Sequence, residues 1–454
     1  MRQAAPDGTT SREVRARRTS GPLVALFAVA LVATACSSSS SSSSPSSGAL
    51  PDNTAGVTSS AIELGTTTPL TGPAAPGYDE IAPATDAYFM YVNAHGGVFG
   101  RKIEYTILDD QYDPASTATL TRQLVLQDGI FADVGPLGTP TVEQVSSFLD
   151  TEGVPTVYVE SGCNCWSSPS LPYTFGWQPP YTDEGKILGQ YIAQHLGGDK
   201  VGYLYQDDEF GQDGVKGLDQ EIAASSVVSR QTYTATPQAL AAGLGNQISA
   251  LKAAGAKVVV LYTIPAATAL AMLAAATIGY APQWVISSVG ADPPTLAGLL
   301  SSFSKGAAGA TLLNGAISDA YLPPLTDGSD PWIVGFKKIL AQYDPGTPWD
   351  GNSEYGVILG YTVVEALQAA GKNLTRSALV QAIEHAGASF DNPGLVPFTF
   401  SPTNHYGYQG GEVTQLENGG QTISVLTPRL VTTLDGPITE TTWPLSTPPA
   451  DFGS

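Results

Sequence analysis

Ile103-Glu-Tyr-Thr-Ile-Leu-Asp-Asp-Gln-Tyr-Asp-Pro114 changes its local habit partway along. Ile103, Tyr105 and Ile107 alternate with other residues as a strand does. Asp113-Pro114 then offers an N-cap and a first helical residue for a helix carrying Leu120 and Leu124. The same strand-to-helix step recurs on both sides. Upstream, Ile62 to Thr66 reads as a strand, and Ala84, Ala87, Tyr88, Tyr91 and Val92 fall on one stripe of a helix that Gly96-Gly97 ends. Downstream, Val201 to Tyr205, Val258 to Tyr262 and Trp284 to Ser287 read as strands, each with a helical pattern after it. Alternating βα units predict the α/β class with largely parallel sheets.

At 454 residues the chain exceeds what one core organises, so two lobes are expected. Clusters of Gly and Pro near Trp177 to Thr182, Asn314 to Pro324 and Tyr406 to Gly411 read as three crossings between them. They assign 57–180 and 318–407 to a first lobe and 181–317 and 408–446 to a second. Three crossings form a hinge about a shared cleft. There is no internal repeat at solenoid periods.

The first 35 residues read as an address: a basic segment ending Arg15-Ala16-Arg17-Arg18, an apolar run Leu23 to Val32, then Ala33-Thr34-Ala35 before Cys36. The run is too short for an ordinary transmembrane helix. Ala33-Thr34-Ala35-Cys36 resembles the lipobox of bacterial lipoproteins, in which the thiol is lipidated before cleavage. It departs at Ala33, where that pattern most often has Leu; the alternative is plain cleavage at Ala35 and a secreted product. Ser37 to Ser47 is almost all serine, and residues 36–56 read as a flexible tether holding the fold off the outer face of the cell membrane.

The formal charge of the chain is -21. Processing before Cys36 removes Arg2, Arg12, Arg15, Arg17 and Arg18 with Asp7 and Glu13, which leaves 15 basic and 39 acidic residues and a charge of -24. No basic surface remains to displace counterions from phosphates, so no nucleic-acid partner is expected.

Several motifs share an order with a known family. Gly65-Thr-Thr-Thr-Pro-Leu-Thr-Gly72, Tyr91-Val-Asn-Ala-His-Gly-Gly-Val-Phe-Gly-Arg-Lys102, Asp109-Asp110 with Asp113-Pro114, and Val134-Gly-Pro-Leu-Gly-Thr-Pro-Thr141 resemble the leucine/isoleucine/valine-binding type of ABC-transporter substrate-binding protein. Thr174-Phe-Gly-Trp-Gln178, Tyr205-Gln-Asp-Asp-Glu-Phe-Gly211 and Leu251-Lys-Ala-Ala-Gly-Ala-Lys257 follow in the family's order, so the resemblance runs from Ile62 to Glu412. It implies a type I periplasmic-binding architecture: two Rossmann-like lobes, a three-strand hinge, and a small-molecule solute held between the lobes. It also implies delivery of that solute to an ABC importer permease, with no cofactor and as a monomer.

Candidate site residues come from both readings. Leu137-Gly138-Thr139-Pro140 joins a strand to a helix, with Thr139 expected as N-cap and Pro140 as first helical residue, so free backbone N–H groups would face a ligand carboxylate or other polar head. Thr139 resembles the family's hydroxyl grip on the ligand, and Ser161-Gly162-Cys163-Asn164 its second grip. Tyr78, Phe210 and Trp349 resemble its aromatic wall. Tyr181 and Val289 fall where amino-acid binders of this type carry acidic residues. Neither is anionic, and a buried ligand ammonium needs an acceptor. Asp183, Glu184 or Asp292 are the candidate substitutes, and a small polar or carboxylated solute (an amino acid, an amide or a related molecule) is expected.

After Cys36, only Cys163 and Cys165 remain, expected as a local disulfide or as two free thiols. His95, His195, His385 and His405 are scattered, which disfavours a zinc site and leaves no metal expected. Asp109, Asp110, Asp113 and the run Asp207-Asp208-Glu209 read as solvated loops or caps. Ser302-Phe-Ser-Lys305 is a bare S-x-x-K without its partner motifs. With no catalytic motif, an enzyme is not expected. The alternative to transport is a ligand-sensing subunit of the same fold.

Overall fold

The computed structural model describes residues 53–449 and 452–453, which fall in one compact unit, Leu50–Ser454. The segment read as a leader, Cys36 with its expected lipidation, and most of the expected tether lie outside the described residues. Among the described residues, no helix is long and apolar enough to cross a membrane.

Two sheets account for the lobes. The first contains β1 (Ala61–Thr68), β2 (Lys102–Asp109), β3 (Ala132–Val134), β4 (Thr156–Val159) and β5 (Thr174–Gly176), in the order β2-β1-β3-β4-β5. All of its pairings are parallel. The second contains β6 (Val201–Gln206), β7 (Val227–Tyr233), β8 (Val258–Tyr262), β9 (Gln283–Ile286) and β10 (Ile317–Ala320), all parallel to their neighbours. β11 (Gly410–Glu417) then runs antiparallel beside β10, and β12 (Thr422–Val425), β13 (Leu430–Val431) and β14 (Thr439–Glu440) complete the sheet. The strand order is β7-β6-β8-β9-β10-β11-β13-β14, with β12 alongside β11.

The strands form where sequence chemistry asks for them. Val258-Val-Val-Leu-Tyr262 is buried along its whole length, as befits a parallel strand covered by helices on both faces. In the helix Ile81–Ala94, Ala84, Ala87, Tyr88 and Val92 are buried; Tyr91 is half-buried, its ring beside Tyr88 and Tyr343. Asp113 caps the helix Pro114–Gln123 by accepting from the Ser116 N–H at 2.9 Å. Leu124 lies one residue beyond that helix, in a π turn that ends at Gly129.

The chain leaves the first sheet after β5 and enters the second lobe with the helix Tyr181–His195. That helix meets Glu209–Glu221 backbone to backbone: a Cβ on Gly217 would lie 2.2 Å from the Thr182 carbonyl oxygen, and one on Gly185 2.3 Å from that of Gly214. The boundary drawn at 317/318 falls inside β10, whose four residues all belong to the second sheet, so the return begins at Tyr321. The first-lobe helices Pro331–Tyr343 and Gly351–Ala370 follow. After β14 the chain returns to the first lobe. Ser446 accepts from the Trp332 indole at 3.1 Å and donates to the Asn392 carbonyl at 2.6 Å, and Phe452 packs on Trp332 and Phe336. The tail, assigned from sequence to the second lobe as far as 446, is therefore a further connection between the lobes.

Candidate functional site

Because the first sheet and strands β6 to β10 of the second are parallel, the loops at the carboxyl ends of those strands face the same crevice. In that crevice is a cavity of about 210 Å³. The first lobe lines it with Tyr78, Tyr112, Leu137, Gly138 and Glu160 and with the start of the helix Gly351–Ala370. The second lobe lines it with Phe210, Ile264, Ser288, Val289 and Asp319. Tyr181, Gln178 and Tyr321 come from the crossings.

The lobes touch directly across the cleft. The Tyr78 hydroxyl donates to the Val289 carbonyl at 2.8 Å, and the Gln206 side-chain amide donates to the Tyr112 hydroxyl at 3.2 Å. On one rim the Gly351 N–H donates to Asp292 at 3.0 Å and the Asn352 amide to Thr295 at 3.1 Å. Elsewhere along the interface the Asn164 N–H and side-chain amide both donate to Asp213, at 2.8 and 2.6 Å. The arrangement is a closed one.

Tyr78, Leu137, Gly138, Tyr181, Phe210 and Val289, picked out from the sequence, line this cavity; Thr139, Ser161 to Asn164 and Trp349 do not. Trp349 is half-buried elsewhere, its indole donating to the Leu325 carbonyl at 3.3 Å. Thr139 is not the N-cap. Gly138 takes that place at φ 102°, a backbone region that excludes side chains, so Thr139 and Pro140 become the first two helical residues. The Thr139 hydroxyl instead meets that of Ser161 at 2.7 Å.

Tyr181 covers this pair. Its N–H donates to the Gly162 carbonyl at 2.6 Å, and its ring lies against Gly162, where an added Cβ would stand 2.9 Å from the ring's Cδ1. Burial raises the phenol's pKa, and the neighbouring Gly162 backbone and Ser161 and Thr139 hydroxyls pull against it. The tyrosine thus stands over the grip expected for a ligand. Beyond it, Cys163 and Cys165 pair as a disulfide with Cα atoms 5.2 Å apart. The Glu143 carboxylate stands beside the two sulfurs, which, once paired, offer no thiolate to a metal.

Five carboxyl side chains line the cavity (Glu160, Asp292, Asp319, Glu354 and Glu412), and no Lys, Arg or His does. Glu160 Oε2 and Glu354 Oε1 are buried without a hydrogen-bond partner. Burial pushes both groups well up, with Asp330, Asp292 and Asp350 adding to the effect on Glu354. Asp319 is also raised well above the carboxylate range, first by burial and then by Glu184 beside it. Glu184 accepts from the Ser287 and Ser288 hydroxyls at 3.0 and 2.7 Å and from the Ser288 N–H at 2.8 Å. Of the proposed substitutes for the missing acids, Asp292 lines the cavity, while Asp183 turns away to accept from Gln409 at 3.0 Å.

Sequence reasoning passed over Glu160, Glu354 and Asp319. The available signal for Glu160 was its position directly after the buried strand β4, where ligand-facing residues of α/β crevices stand. Asp319 and Glu354 lie inside a strand and a buried helix, and only the tertiary fold shows that they share a cavity.

The acidic runs are accounted for locally. Asp109 accepts from Thr71 and Gln111, Asp110 from Tyr112 and Thr117, and Asp208 from Phe210 and Gln206.

The profile of the periplasmic binding protein family matches residues 61–421. A curated relative, Leu/Ile/Val-binding protein homolog 7 of Brucella suis, is 23% identical over 337 residues, which is 72% of this chain and 81% of its own. Among solved structures, a branched chain amino acid ABC transporter protein of Thermus thermophilus with bound valine superposes with a TM-score of 0.69. It is 20% identical, and the match covers 82% of this chain and 97% of that one. A fatty acid ABC transporter substrate-binding protein of Thermomonospora curvata gives a TM-score of 0.70 at 22% identity, covering 84% and 95%. These likenesses establish a shared fold.

Proposed function

Because the chain belongs to the periplasmic binding protein family, we propose that it is an extracytoplasmic solute-binding lipoprotein, anchored through Cys36, that captures a small solute by hinge closure and hands it to an ABC importer. The observation that carries this reading is the cavity itself, closed between two lobes and walled by residues of both. Aromatic rings from Tyr78, Tyr181 and Phe210 would exclude water from an apolar ligand body, while the buried polar groups select its head. The relatives' printed names make branched-chain amino acids the first class to test, and amides and other small polar solutes follow. The role proposed is not enzymatic.

Thermal-shift measurements on the processed protein against amino acids, amides, amines and short carboxylates test capture, since a ligand that binds only the folded state must raise the melting temperature. The expected result is a shift by one chemical class that Phe210→Ala abolishes. A broad panel with no shift would sink the capture reading. For the anchor, Cys36→Ala is expected to release the protein from the membrane fraction into the medium.

A further inference from the structure

Resting on the capture reading, we propose that the solute carries a cationic nitrogen head and no carboxylate, and that Tyr181 sets this preference by covering the anion grip while Glu160 and Glu354 receive the cation. Two independent observations lead there.

The first concerns the place where a carboxylate would go. The Thr139 hydroxyl, at the start of the helix Thr139–Thr151, is already paired with that of Ser161 at 2.7 Å, and Tyr181 lies over the next residue, its N–H on the Gly162 carbonyl at 2.6 Å and its ring against Gly162. Thr139 and Ser161 accordingly stand behind the cavity wall. A solute carboxylate would have to displace a fully buried ring packed against Phe210 at 4.7 Å between centroids.

The second concerns what the cavity does offer. Glu160 and Glu354 are 7% and 2% exposed, and each has an oxygen with no partner. Unpaired buried acceptors are costly and call for donors from the ligand. With no basic side chain in the wall, a ligand carboxylate would find no countercharge, whereas an ammonium or amidinium supplies donors and the charge beside which a buried carboxyl can ionise. The remaining wall, including Tyr78, Ile264, Val289 and Leu137, suits an apolar body on that head.

The test uses the processed protein and matched probes: isopentylamine and benzamidine as cations, isovaleramide as the neutral comparison, and isovalerate and leucine as carboxylates. The cations are expected to raise the melting temperature and to bind in calorimetry with release of protons, as carboxyl groups held protonated by burial ionise beside the ligand. Glu160→Gln and Glu354→Gln should each weaken that binding about tenfold or more and reduce the proton release. Tyr181→Ala should open the grip and admit isovalerate. Binding of isovalerate, leucine or the neutral amide by the wild type in preference to the cations overturns the head-group assignment and leaves capture standing. If no probe binds, both fail. Because the first arm needs only the wild-type protein, instability of a variant does not shield the proposal.

Discussion

The Tyr78 hydroxyl reaches from the first lobe to the Val289 carbonyl in the second, 211 positions later in the chain, and closes a hydrogen bond of 2.8 Å above the cavity. This bond exists only when the lobes are together, so it contributes to closure and nothing to the fold of either lobe. Tyr78→Phe keeps the ring and removes the donor. Its loss should cost the closed form about 0.5–1.5 kcal/mol and weaken solute binding roughly two- to tenfold, with the melting temperature of the unliganded protein little changed. Calorimetry on the variant and the wild type checks the ratio.

Closure also brings like charges together. Burial and then the Glu209 carboxylate, facing it from the second lobe, raise Glu143 to about 7; Asp208 and Asp213 add to the same negative field, and the disulfide sulfurs beside it are neutral. Lys216 lies near Asp213 and offsets part of the effect of its burial. A carboxyl pKa raised in the closed form means that closure is favoured fully below the ordinary value of 4.5 and loses that contribution as pH rises through about 7. Small-angle scattering should therefore show the unliganded protein expanding between about pH 5 and about pH 8. In Glu143→Gln the expansion should be reduced. An identical pH profile in the variant would assign the opening to other groups.

The distinction between what sequence revealed and what it hid follows from range. Val258 to Tyr262 could be read because a parallel strand covered on both faces needs an unbroken apolar run, and Asp113-Pro114 because a cap acts over three residues. Tyr78, Tyr181 and Phe210 were found at the cavity because rings at the ends of βα units have few other places to go. Thr139 was misplaced by one position because the left-handed backbone of Gly138, not the threonine hydroxyl, starts that helix. Trp349 reads as a wall residue only until the chain is folded and its indole turns to Leu325. The acids Glu160, Asp319 and Glu354 come from a strand end, a strand interior and a helix; nothing local says that they meet.

Glycine spacing carried a signal of a similar kind. Gly217 of the helix Glu209–Glu221 and Gly185 of the helix Tyr181–His195 let the two helices approach to backbone contact. A methyl at 217 would lie 2.2 Å from the Thr182 carbonyl oxygen, so Gly217→Ala must push the two helices apart. Overpacking of this sort should cost about 1–3 kcal/mol of stability in urea unfolding. Because the same helices carry Tyr181 and Phe210, solute affinity should fall with it. Gly198→Ala, at a position where an added Cβ meets nothing within 4 Å but φ is +99°, should strain the backbone and leave affinity unchanged.

The returning tail ties the second sheet to the aromatic cluster of the first lobe. Phe452 stands 5.0 Å from Trp332, 4.8 Å from Phe336 and 5.9 Å from Tyr361, between ring centroids, while Ser446 fixes the approach through Trp332 and Asn392. Phe452→Ala removes the ring and exposes its neighbours, and should cost about 1.5–3 kcal/mol. The loss distinguishes two roles for the tail. If it only covers the first lobe, melting temperature falls and binding of a saturating solute is unaltered. If it also restrains the hinge, the variant opens more widely without solute and binds more weakly even where it is fully folded. Since Ser446 is bonded on one lobe and Arg429 donates to the Trp443 carbonyl at 2.8 Å on the other, the second result is expected, and scattering with and without solute reads it directly.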